Sequence, residues 1–346
     1  MTVSRQGLMS VLNALWTEAV EHVTVEHPCA EIGTLLEIDL ESAEESTVRI
    51  RAGRQTYKSR RDEVRLSHGT RAYEDLPDAH TYCQALTAGG LVDVHNRDEI
   101  DSFLERHAYP DLEAGHAPVF AGIDANIFPW RIPAVLGIDP QRPEYDDRRP
   151  PINGYALSSG VESELDWRFK QQHTQQIAEA FGAEFERLEN QPAGSRRAGF
   201  LGSSEFRRLR ANRRSEVVET GEGDEAIVEG YREWAANARK NVVLFTNDRG
   251  FVNRATDVGV PAVHVEYPVG TPRAVTATWD EIRDTLYVLA VVFGVLKLPT
   301  VTIYGVWDGK TGQHWRAQEV DVVARSPAVE TRLERDQSVL DAYETG

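Results

Sequence analysis

Two apolar runs that end in an acid set the frame for this chain: PVFAGID, residues 118–124, and NVVLFTND, residues 241–248. Each has the length of one buried strand, and the stretches from Val161 to Glu189 and from Gly223 to Arg239 between them carry helical patterns. A third run, VPAVHVEYP (260–268), follows a short helical stretch from Gly250 to Val258 that stops at Gly259. Strand-like runs alternating with helices predict an α/β domain with a central parallel sheet over residues 116–270. In open sheets of this kind ligands bind outside the carboxyl ends of the strands, so an acid placed there charges a cleft without interrupting the core.

With 346 residues the chain has room for more than this domain. Residues 1–115 read as an N-terminal α+β accessory domain. It opens on a helix from Gly7 to Val23, followed by alternating runs from Glu31 to Leu40 and Thr47 to Arg51. A basic stretch from Arg49 to Arg71 suggests strands and exposed turns, and helices follow at Ala79 to Ala88 and Asp98 to His107. Residues 271–346 read as a C-terminal extension: an apolar helix over Trp279 to Lys297, a β-hairpin turning on DGKTG, and a polar helical tail from Pro327. The longest apolar run, Leu286 to Leu296, is about half of what a bilayer requires. No secretion signal opens the chain, so a cytoplasmic location with no membrane contact is expected. Cys29 and Cys83 are too few and too far apart for a disulfide framework or a zinc site.

A net charge of −17 argues at first against a polyanionic partner. Lysine, however, occurs only five times, so the cations are overwhelmingly arginine set against 55 acids. This resembles the halophilic pattern, in which an acidic surface keeps a chain solvated and molar salt shrinks the Debye length to about 3 Å. Global charge then reports habitat more than function.

Four acids stand out by position: Asp124 and Asp248 at strand ends, and Glu164 and Asp224 near helix starts. Hard divalent cations take oxygen ligands, and carboxylates at neighbouring strand ends suit them. Helix starts also favour acids for local reasons, through the dipole and the free amides.

In order along the chain, these sites resemble the PIN-domain nuclease family. GIDANIF resembles its first strand with Asp-x-Asn, SELDW its Glu-Leu helix start, GDEAIVEGY its Asp-x-x-Ile helix, and TNDRGFVNRATDVGVPAV its Thr-x-Asp-x-x-Phe turn and following helix. The resemblance implies a three-layer α/β/α fold. It also implies a metal-dependent nuclease reaction, with RNA favoured over DNA, in which Asp124, Glu164, Asp224 and Asp248 hold Mg²⁺ or Mn²⁺. Glu162 and Asp166 flank Glu164 at two positions' distance and stand as alternatives to it. Asn126, Thr246 and Asn247 are candidates for supporting or phosphate contacts. A phosphatase with a nucleophilic Asp124 would want a second acid at the position of Asn126. An inactive PIN-like scaffold that binds nucleic acid or builds an assembly is the main rival.

Residues 191–220 read as an arginine-rich insertion into this domain. Arg196, Arg197, Arg207, Arg208, Arg210, Arg213 and Arg214 lie beside Phe200 and Phe206, a composition suited to phosphates and unpaired bases, with single-stranded RNA favoured as partner. The flanking regions would select substrate or mediate a homodimer or larger complex. His68, His95, His107, His116 and His264 are scattered without metal-ligand spacing, and His264 reads as a satisfied residue inside a strand.

Overall fold

In the computed structural model the strands form one antiparallel and one parallel sheet. Residues 1–141, 149–166, 175–194, 196–211 and 213–344 are described. In chain order the strands are β1 (Thr2–Ser4), β2 (His22–Glu26), β3 (Thr34–Asp39), β4 (Ser46–Ile50), β5 (Val119–Ile123), β6 (Gly154–Ser158) and β7 (Ser215–Val218). They continue with β8 (Asn241–Thr246), β9 (Ala262–His264), β10 (Ala274–Ala277), β11 (Val295–Lys297), β12 (Val301–Tyr304) and β13 (Glu319–Ala324).

The first unit comprises Met1–Val92, Lys170–Ala198 and Pro268–Gly346. Its sheet has the order β1-β13-β12-β11-β2-β3-β4-β10. Strands from the two ends of the chain interleave, with β1 on β13, β2 on β11 and β4 on β10. The expected division into 1–115, 116–270 and 271–346 therefore gives way to a different one, because the two flanks build a single sheet. Hydrophobic alternation marks each strand but carries no record of which distant strand it pairs with. The Trp279–Phe293 helix buries twelve of its residues, which accounts for the apolar run. A Thr278–Glu281 capping box starts it, and Gly294, at φ +88°, ends it before β11, short of the expected Lys297. Among the described residues no helix is long and apolar enough to cross a membrane.

Two expectations at the N-terminal end are corrected. The first helix spans only Leu8–Thr17, and His22–Glu26 is a strand. The basic stretch is the Arg54–Asp75 helix, whose buried residues are only Tyr57, Val64, Ala72 and Asp75. So narrow a buried stripe leaves little helical period to read. Near the other end β12 and β13 pair antiparallel as expected, but the connection is longer than the DGKTG turn, because Gly312–Arg316 is a short helix.

The second unit, Asp93–Phe169 and Gly199–Tyr267, holds a parallel sheet in the order β7-β6-β5-β8-β9. The α/β reading holds here. The chain runs outward from β5 through β6 to β7, then returns to the other side of β5 as β8. The strand order thus reverses between β5 and β8, where open α/β sheets form their ligand crevice. β6 and β7 are additions to the three strands read from sequence. A Cβ on Gly154 of β6 would lie 1.7 Å from the Arg214 carbonyl oxygen, so the β6–β7 approach requires glycine. Because β7 falls inside residues 191–220, that segment is not a simple insertion: it supplies an edge strand and the Arg196–Arg210 helix. The expected helix from Val161 to Glu189 is also divided. Ser159–Asp166 and Gln175–Phe181 are helical, Ala183–Leu188 is a 3₁₀ turn, and residues 167–174 lie outside the described residues.

Candidate metal centre

Asp124 directly follows β5. Its N–H donates to the Phe245 carbonyl of β8 at 3.0 Å, continuing the ladder in which Ile123 pairs with Phe245. The residue is only 6% exposed. Thr246, fully buried at the end of β8, donates its hydroxyl to Asp124 Oδ2 at 2.6 Å and accepts from the Asp248 N–H at 2.9 Å. Asn126 Nδ2 donates to the same Oδ2 at 3.3 Å. The Thr-x-Asp sequence thus acts through its threonine: one hydroxyl ties the β8 turn to the carboxylate of β5.

The other acids are held elsewhere. Asp248 is exposed and caps the Arg249–Asp257 helix, accepting from Gly250 N–H at 2.6 Å, with Phe251 buried beneath the turn. Asp224 opens the Asp224–Ala238 helix and pairs with Arg254 at 2.7 Å. It lines an open cavity of about 840 Å³ together with Glu225, Glu229 and Asp257. Glu164 is half-buried on the Ser159–Asp166 helix. That helix is anchored at its start by the Ser158–Thr220 hydroxyl contact of 2.6 Å and by Gly160 N–H donating to Thr220 Oγ1 at 3.1 Å. Glu162 is engaged by Arg210 through two bonds of 2.8 and 2.9 Å, and the Asp166 side chain lies outside the described residues. Asn247 contributes its backbone carbonyl, 2.9 Å from His264 Nε2. Among the described residues no three of the four acids bring ligand oxygens within 4.8 Å of one another. The group brought together is Asp124, Asn126, Thr246 and the Asp248 backbone.

Asp124 stands apart from the other buried carboxylates. Asp75 meets Arg197 through two bonds of 3.0 Å, and Asp321 meets Arg187 and the N-terminal ammonium. Asp139 and Glu205 share Arg208, at 3.6 and 2.8 Å. Among the described residues Asp124 is the one buried carboxylate with no cationic partner. Burial pushes its pKa above the usual carboxylate range; the Thr246 hydrogen bond opposes that rise, and the charge of Asp224 adds to it. A buried, ionised carboxylate without a counter-charge is costly, and a cation at this point would offset the cost.

The arginines of 191–220 divide by environment. Arg197 is a correction to the basic track: it is fully buried and bonded to Asp75 and the Pro192 carbonyl, so it serves a core. Phe206 is also buried, against Phe128, and is unavailable for base stacking. Arg208 is taken up by Glu205 and Asp139. Arg207, Arg210, Arg213 and Arg214 are exposed, and Arg196 and Phe200 are half-exposed. Arg254, the partner of Asp224, carried no signal in the sequence, because a single arginine in a polar helix looks like any solvated residue.

No protein-family model, no characterised protein and no solved structure matches this chain.

Proposed function

We propose that the second unit is a PIN-like, metal-dependent nuclease of α/β/α architecture that hydrolyses phosphodiester bonds in the cytoplasm, with single-stranded RNA as its favoured substrate. The observation that carries this reading is Asp124: a buried carboxylate without a cationic partner among the described residues, at the reversal point of a parallel sheet. Its donor set of carboxylate, amide and hydroxyl groups fits Mg²⁺ or Mn²⁺. A bound divalent ion lowers the pKa of a coordinated water and stabilises charge on the phosphate. Asp124 supplies the anchoring carboxylate, and Thr246 fixes its rotamer. Asp248 and Asp224 complete the site by releasing Gly250 and Arg254, and Glu164 by approaching from the helix after β6. The exposed Arg207 and Arg213, joined by Arg210 and Arg214 on release of Glu162 and the Pro140 carbonyl, hold the sugar-phosphate strand.

A second reading has its own support. Asp224 is neutralised by Arg254 and Asp248 is used as a cap, which suits a PIN-like scaffold that binds nucleic acid without cutting it. Cleavage of labelled single-stranded RNA, single-stranded DNA and duplexes with Mn²⁺ or Mg²⁺, at low and molar salt, separates the two. The nuclease reading expects metal-dependent cutting that Asp124→Asn abolishes. Binding without cutting supports the scaffold, and unchanged cutting by Asp124→Asn overturns the site.

A further inference from the structure

A cluster of quite different chemistry lies in the first unit. Cys29 and Glu31 sit in the loop between β2 and β3, and His68 sits on the Arg54–Asp75 helix. The Cys29 thiol donates to Glu31 Oε2 at 3.0 Å, and His68 Nε2 lies 3.1 Å from Glu31 Oε1. One ligand atom from each of the three falls within 4.8 Å of the others, the one such group of histidine, cysteine and acidic side chains among the described residues. We propose that Cys29, Glu31 and His68 form a zinc site with three protein ligands and a fourth position open to water.

The donor set selects the ion. One sulfur, one imidazole nitrogen and one carboxylate oxygen suit Zn²⁺, whereas Mg²⁺ and Mn²⁺ favour all-oxygen surroundings. The dimensions agree. Zinc bonds of about 2.0–2.3 Å in a tetrahedron put neighbouring ligand atoms roughly 3.4–3.6 Å apart. The thiol and the imidazole, 3.0 and 3.1 Å from the two Glu31 oxygens and within 4.8 Å of each other, need shifts of about an ångström or less to surround the ion.

The frame around the cluster is already fixed. Arg60, on the same helix as His68, donates to the Ile32 and Thr34 carbonyls at 2.9 and 2.7 Å, tying the loop to the helix. The loop turns on Gly33, at φ +56°, whose N–H returns to the Cys29 carbonyl at 2.9 Å. Helical dihedrals break at Gly69, directly after His68. Access is one-sided: Cys29 is buried, while the His68 and Glu31 side chains are 27% and 24% exposed. The open coordination position therefore faces solvent, as in zinc sites that exchange a water or bind a small anionic ligand.

The full-length protein is loaded with Zn²⁺, freed of excess metal by gel filtration and assayed for metal content. Co²⁺ replacement is followed by absorption spectroscopy. The site predicts one retained zinc per chain and a thiolate-to-cobalt charge-transfer band. Cys29→Ser and His68→Gln should each weaken zinc binding by more than the about 10–100-fold that loss of even an outer supporting partner brings. Cys83→Ser should retain full occupancy, because that thiol lies outside the cluster. His68 is at the surface, so His68→Gln reports on binding even if Cys29→Ser does not fold, and circular dichroism checks both variants. Asp124→Asn should keep its zinc, which separates this site from the carboxylate centre. Absence of retained zinc in the wild type, or equal retention in Cys29→Ser and His68→Gln, overturns the assignment.

Discussion

Asp75 and Asp124 are both carboxylates removed from water, one in each unit, yet their surroundings are opposite. Asp75 faces the buried guanidinium of Arg197, which bridges both of its oxygens, while Asp124 faces a hydroxyl and an amide. The first arrangement is complete without a ligand; the second leaves a charge unmet. The largest expected effect tests that difference. Asp124→Asn should lower cleavage by about a thousandfold, as loss of a preorganised electrostatic group does, and should raise Tm. The sign follows from the raised pKa. A carboxyl held above its unfolded pKa favours the folded state below that value, and this contribution is lost as pH rises through the folded pKa. At neutral pH the charge therefore works against folding, and the amide removes the penalty. Mn²⁺ should raise the Tm of the wild type and not that of the variant; an equal shift in both would place the cation elsewhere.

The counterpart in the first unit behaves in reverse. Arg197→Ala strands the Asp75 charge among buried groups and should destabilise the fold by about 3–5 kcal/mol, read from urea or thermal unfolding. Activity per folded molecule should hold. A destabilisation below about 1 kcal/mol would show that the pair is dispensable and that the contrast with Asp124 does not divide structure from function.

What the sequence revealed follows from the range over which each signal acts. β5 and β8 were legible because a continuous apolar run reports burial on both faces of one strand, and their terminal acids were legible as positions. β6 and β7 were not, since GYALS and SEVV are short and mixed with glycine and serine. That no described residue sets a cation beside Asp124 could not be read, and neither could the presence of one beside Asp75, whose partner is 122 residues away. Cys29, Glu31 and His68 escaped for the same reason: their spacing of 2 and 37 residues matches no linear metal motif, and only the packing of a loop on a helix brings them together. The arginine-rich segment shows the converse error. Composition suggested one basic surface, whereas the fold assigns Arg197 to a core and Arg208 to a local acid pair.

A smaller effect comes from Thr246→Val, which keeps the shape of the side chain and removes the donor to Asp124. That hydrogen bond opposes the rise in the Asp124 pKa, so the variant should carry a carboxyl pushed further up. Cleavage that needs the ionised form should then begin at a higher pH than in the wild type. The rate at neutral pH should fall by about 10–100-fold, the range for loss of a supporting partner. An unshifted acidic limb would mean that Thr246 shapes the β8 turn, through Asp248 N–H, without tuning the acid.

The smallest change in stability is expected at Arg254. Its pair with Asp224 is largely exposed, with side chains 49% and 35% accessible, so Arg254→Ala should alter stability by no more than about 1 kcal/mol. The informative quantity is Mn²⁺ affinity. If Asp224 joins the cation when Arg254 lets go, removing the arginine lifts a competing interaction and Mn²⁺ should bind a few-fold more tightly. If Asp224 acts on Asp124 only through its charge, affinity should stay where it was. Tighter binding with faster cleavage would put Asp224 among the ligands, whereas tighter binding without cleavage would favour the scaffold, because the carboxylates would then gather a cation that has no reaction to assist.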